Sequence, residues 1–89
     1  MIELDQKKYL ERRKQDLHVC TQALRIESFE AVESIGHKMK GNGTTFGFPE
    51  LSAIGANLER SAKQKNKDLL EKGTNELKAW VEAQQSQQA

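Results

Sequence analysis

His37 and Lys40, one helical turn apart in the run Gly36-His37-Lys38-Met39-Lys40-Gly41, are the side chains of this chain best placed to do chemistry. An imidazole in its neutral form is a nucleophile. A phosphoryl group taken up on it brings negatively charged oxygens that call for a nearby cation and hydrogen-bond donors. His37 supplies the nucleophile and Lys40, at i+3, the cation. Taken alone the pair is a weak signal, because a solvated histidine beside a lysine is a common surface feature. Its weight depends on the element that carries it.

That element is an amphipathic helix. At about 100° per residue, Phe29, Val32, Ile35, Gly36, Met39, Gly43 and Phe46 fall within roughly 60° of one direction, which marks the buried face. His37 lies about 140° away and points to water, with Glu33 and Lys40 between it and the core stripe and Gly41 and Thr44 on the exposed side. Gly36, Gly41 and Gly43 each cost a helix interior about 0.5–1 kcal/mol relative to alanine, so something must offset them. Gly36 and Gly43 lie on the core stripe, where a missing side chain lets a neighbouring helix approach. Gly41 does not, and its notch gives access to the imidazole. The competing reading is that these glycines end the helix early, near Gly41.

Three more helices surround this one. The first runs from about Leu4 to Leu24, with Leu10, Leu17, Cys20 and Leu24 on one stripe. Ser28 is a good N-cap for the second, which runs to about Thr45 with Glu30 in its first turn. Gly47-Phe48-Pro49 breaks the pattern, since proline suits the first turn of a helix and disfavours helical geometry in the residue before it. A third helix follows with Leu51, Ile54, Gly55, Leu58 and Ala62 on its stripe. Asn66 caps a fourth that carries Leu70, Gly73, Leu77, Trp80 and Val81. Short connections favour antiparallel neighbours, hence an all-α, up-and-down antiparallel four-helix bundle. Leu17, Leu24, Val32, Met39, Ile54, Leu58, Leu77 and Trp80 are its expected core. Residues 1–89 form one domain, with 84–89 expected to fray.

Composition removes other classes of function. Eighty-nine residues make one small domain, and 14 basic against 13 acidic residues leave a net charge of +1, which gives no support for nucleic acid as a partner. The single cysteine, Cys20, forms no intrachain disulfide and sits at a core spacing. No long apolar run or signal-peptide pattern is present, so no membrane association and a cytoplasmic location are expected. His18 and His37 lie on different helices without a completing carboxylate or thiolate set, so neither a metal nor another cofactor is expected. There is no phosphate-binding glycine loop, no kinase signature and no catalytic-triad motif. What remains is His37 as a nucleophile toward phosphorus.

The wider pattern resembles a known family. Gly36-His37-Lys38-Met39-Lys40-Gly41-Asn42-Gly43, then Phe46-Gly47-Phe48-Pro49-Glu50-Leu51, then Leu58-Glu59, is similar to the histidine phosphotransfer (HPt) domain. In that family a helix carries His-x-x-Lys-Gly, a glycine follows about ten residues after the histidine, and a Leu and a later Leu-Glu mark the next helix. His37, Lys40, Gly41, Gly47, Leu51, Leu58 and Glu59 match in order and spacing.

The resemblance implies a relay of a phosphoryl group between receiver-domain aspartates through a phosphohistidine, in a multistep two-component phosphorelay. His37 would be the phosphoacceptor, through Nε2. Lys40 would balance phosphoryl charge, and Gly41 would leave room for the incoming receiver. Magnesium would belong to the receiver, and no autonomous kinase activity is expected. The implied partners are receiver domains of response regulators, a hybrid sensor histidine kinase, or both, met by a monomer. The chain is short ahead of its first helix, so an additional N-terminal helix found in many relatives is expected to be missing. Two other classes share the same residues: a phosphorylation-independent adaptor that binds a receiver, and a plain helical interaction module. The presence of both His37 and Lys40 favours the relay, because binding alone needs no imidazole there.

Overall fold

The computed structural model describes residues 2–88, and side chains within 7–86. Four helices follow in order: α1 (Ile2–Ile26), α2 (Phe29–Asn42), α3 (Pro49–Lys63) and α4 (Lys67–Gln88). Among the described residues there is no strand. α1 packs on α2 and α4, and α3 packs on α2 and α4, so each helix lies against its neighbours in the chain and α4 closes the ring. This is the expected up-and-down four-helix bundle.

Three tight connections make that ring possible. Glu27, at φ 54°, takes the left-handed conformation after α1, and Ser28 N–H donates to the Ala23 carbonyl at 3.1 Å. Lys65, at φ 52°, does the same after α3, with Lys65 N–H on Ala62 O at 3.1 Å and Asn66 N–H on Ser61 O at 2.9 Å. Both connections satisfy terminal carbonyls by the Schellman pattern, without the usual glycine. Asn66 then caps α4 as expected, its Oδ1 accepting from Leu69 N–H at 3.1 Å. Ser28 stands at the N-cap of α2 with extended geometry, but its side chain makes no capping hydrogen bond.

α2 ends at Asn42, three residues before the expected Thr45 and one past Gly41, near which the competing reading ended it. Helix-type bonding persists in Gly43 N–H to Met39 O (2.9 Å) and Phe46 N–H to Asn42 O (3.1 Å), but Thr44 N–H leaves the ladder for Ser52 Oγ on α3 at 3.0 Å. Gly47, at φ 89°, turns the chain, and Pro49 occupies the first turn of α3. α4 continues as helix to Gln88, through most of the stretch expected to fray; Ala89 lies outside the described residues.

The core draws on all four helices: Tyr9, Leu10, Cys20 and Ala23; Val32 and Met39; Leu51, Leu58 and Ala62; Leu70, Leu77, Trp80 and Val81. Five of the eight expected core residues are buried, while Leu17, Leu24 and Ile54 are half-buried against that core. The buried face of α1 is turned toward Tyr9, Cys20 and Ala23, which leaves Leu17 and Leu24 at its margin.

Two features fix α2, the helix that bears His37. At its C-terminal end Tyr9 stacks on Phe46 with ring centroids 4.4 Å apart, and the Tyr9 hydroxyl donates to Asn42 Oδ1 at 2.6 Å. Along its length the backbones of α2 and α3 touch. A Cβ on Gly36 would lie 2.5 Å from Glu59 N and 2.7 Å from Gly55 O, and one on Gly55 would lie 2.5 Å from Lys40 N. Glycine is required on both helices, as expected at Gly36, and the contact sets the backbone of Glu59 directly against that of Gly36.

Candidate functional site

Because α3 lies so close, Glu59 reaches the side chains that flank its contact point. His37 projects from α2 with 70% of its side chain exposed, and its Nδ1 lies 2.8 Å from Glu59 Oε2. Lys40 Nζ lies 2.8 Å from the other oxygen, Oε1, and Lys63 Nζ, one turn further along α3, lies 3.7 Å from Oε2. One carboxylate thus gathers an imidazole and two ammonium groups.

The electrostatics follow from that gathering. The Glu59 side chain is only 9% exposed, which by itself disfavours its charged form. The hydrogen bond from Lys40, then that from His37, outweigh this, and the charges of Lys40 and Lys63 add to them, so that the carboxyl is held down at about 2. Glu59 is therefore an acceptor at neutral pH. An ionised carboxylate only accepts, so the nitrogen facing it must carry the hydrogen. Nδ1–H donates to Oε2, and in the neutral imidazole the lone pair resides on Nε2. This is the arrangement a nucleophilic imidazole needs.

Around His37 the surface is open. A Cβ at Gly41 would meet nothing within 4 Å, in contrast to those at Gly36, Gly43 and Gly55. His37 lines a groove of about 500 Å³ together with Glu30, Glu33, Ser34, Lys38, Glu59 and Lys63. Among the described residues no group of three or more His, Cys, Asp or Glu is gathered to hold a metal ion. No helix among them is long and apolar enough to cross a membrane.

The Hpt domain family model matches residues 7–87, nearly the whole chain. The chain belongs to the Hpt domain family. Comparison with curated proteins and with solved structures gave no match. Membership carries a histidine phosphotransfer role in two-component signalling, in which Hpt domains interact with receiver domains and kinases.

Of the residues that the sequence singles out, His37 and Gly41 lie where the helical periodicity puts them, exposed and side by side along α2. Lys40 is also exposed, but it is engaged by Glu59 rather than standing free beside the imidazole. Sequence reasoning gave Glu59 no chemical role and did not consider Lys63. The available signal was a glutamate bordering the apolar stripe of α3 next to Leu58, with glycines on the facing stripes of α2 and α3. His18 is exposed on α1. Cys20 is fully buried, and burial raises its thiol to about 12, in keeping with a core role.

Proposed function

We propose that this Hpt domain relays a phosphoryl group between the aspartates of receiver domains, through a phosphohistidine at His37, within a multistep phosphorelay. The observation that carries the reading is the pairing of His37 Nδ1 with Glu59, which leaves Nε2 as the nucleophile on an exposed helix face. In the forward step the Nε2 lone pair forms a bond to phosphorus while the phosphorus–oxygen bond of the receiver's aspartyl phosphate breaks. That bonding pair returns to the aspartate as carboxylate. The ring keeps its Nδ1 hydrogen and gains positive charge, which the Glu59 carboxylate faces at 2.8 Å. The reverse step, onto a second receiver, restores the neutral imidazole.

The other site residues take supporting parts. Lys40, tied to the same carboxylate, balances the charge of the phosphoryl oxygens. Gly41 leaves the space beside His37 through which the receiver approaches. Magnesium belongs to the receiver. The partners are the receivers of response regulators and of a hybrid sensor kinase, met in the cytoplasm by a monomer.

Incubation with receivers carrying radiolabelled phosphate tests this reading. Wild-type protein is expected to take up label that is acid-labile and alkali-stable, as a phosphorus–nitrogen bond to histidine is. His37→Gln should take up none while remaining folded, at a cost of about 0.5–1.5 kcal/mol for the hydrogen bond to Glu59 that the imidazole made. Label on Ser, Thr or Asp, or full labelling of His37→Gln, would refute the relay. A receiver that binds without labelling His37 would point instead to an adaptor.

A further inference from the structure

Glu59 has more cations than it can bind closely. Lys40 occupies Oε1 at 2.8 Å and the His37 ring occupies Oε2 at 2.8 Å, while Lys63 stands at 3.7 Å, beyond hydrogen-bond distance and held by charge alone. Lys63 is also well exposed, with 59% of its side chain accessible, so solvent screens its attraction to Glu59. It is the cation of the cluster most easily released.

Its position gives that release a use. His37 and Lys63 line the same groove, and Lys63 also lines the neighbouring one that holds Lys40, so that it stands with Glu59 between the imidazole and the other ammonium group. The acidic side chains bordering the His37 groove are Glu30, Glu33 and Glu59. A phosphoryl group arriving there adds close to two negative charges among three carboxylates. The groove's other cation is Lys38, which, unlike Lys63, is not among the cations gathered on Glu59.

We propose that Lys63, which lies outside the His-x-x-Lys-Gly motif, is a second cation for the phosphoryl group, moving from Glu59 to the phosphoryl oxygens when His37 is loaded. The inference rests on the phosphotransfer reading, so its test loads the histidine without a receiver. Phosphoramidate serves as donor: Nε2 bonds to phosphorus, the donor's phosphorus–nitrogen bond breaks, and ammonia leaves with the proton it needs from water.

Wild type, Lys63→Ala, Lys63→Gln and Lys63→Arg are loaded in this way, and the second ionisation of the phosphoryl group is followed by phosphorus NMR as pH is varied. Removing a cation from the vicinity of the phosphoryl oxygens should raise that ionisation by about half a unit to one unit in the Ala and Gln proteins. Loading should slow several-fold in both. Lys63→Arg should behave as wild type, which a merely space-filling role would not require. Ala and Gln proteins that load and titrate as wild type does would overturn the assignment of Lys63 alone. Failure of wild-type His37 to accept phosphate from either phosphoramidate or a receiver would overturn the phosphotransfer reading itself.

Discussion

Gly36→Ala should be a damaging substitution even though alanine is the better helix former. The added methyl would sit 2.5 Å from Glu59 N, 2.7 Å from Gly55 O and 3.0 Å from Glu59 Cα, all backbone atoms that no side-chain rotation can move aside. Ordinary contact requires 3.4 Å or more, so α3 must retreat by close to an ångström at this point. The retreat loosens the buried side chains on either side of the contact, Val32 and Met39 on α2 and Leu58 on α3. Overpacking of this kind costs about 1–3 kcal/mol, against about 0.8–1 kcal/mol gained from helix propensity. With the middle of that range, about 2 kcal/mol, the net loss is about 1 kcal/mol.

Gly41→Ala is the matched control, because its methyl meets nothing within 4 Å and only the propensity gain of about 0.5–1 kcal/mol applies. Urea denaturation should separate the two proteins by about 1.5–2 kcal/mol, and thermal melts by roughly 6–16 °C for a domain of this size. The Gly36→Ala protein should also lose the Nδ1–H tautomer of His37, seen by nitrogen NMR, since the displaced backbone carries the Glu59 carboxylate with it. A Gly36→Ala protein as stable as wild type, with the His37 tautomer intact, would refute the backbone contact as the feature that positions Glu59.

Two further outcomes can be checked on the same protein. The Glu59 carboxyl is held at about 2, below its ordinary value, so its ion pairs contribute stability that is fully present above about pH 4.5 and is lost as pH falls from there through about 2. The gap in urea midpoint between wild type and Glu59→Gln should therefore narrow across that window, and a constant gap would show that the charge contributes nothing. Gly41→Gln should leave folding no less stable, because the space around its Cβ is empty, yet slow phosphoryl uptake from a receiver while leaving uptake from phosphoramidate unchanged. Equal slowing with both donors would mean that the effect is not receiver access.

The bundle was legible in the sequence because its information is local. Periodicity placed Val32, Met39, Leu58, Leu77 and Trp80 on inward faces, and Pro49 and Asn66 marked helix starts that the structure contains. What escaped was set between helices. Leu17 and Leu24 share a spacing with Cys20, yet the way α1 sits against its neighbours turns the buried face toward Ala23. The end of α2 depends on Ser52, which draws Thr44 N–H out of the helical ladder from another helix. No spacing within α2 encodes that bond.

The site divides in the same way. His37 and Lys40 are legible as a pair because one turn of one helix joins them, but their chemistry depends on Glu59, 22 residues further along the chain. Without that carboxylate, an exposed imidazole can carry its single hydrogen on either nitrogen and can rotate freely, so only part of its population presents Nε2 outward. With it, the tautomer and the ring orientation are set together, and in the proposed relay the same group would face the positive charge that phosphorylation gives the ring. Glu59 can be that close only because Gly36 and Gly55 let two backbones touch. A methyl group placed inside the bundle would thus alter a nucleophile on its surface.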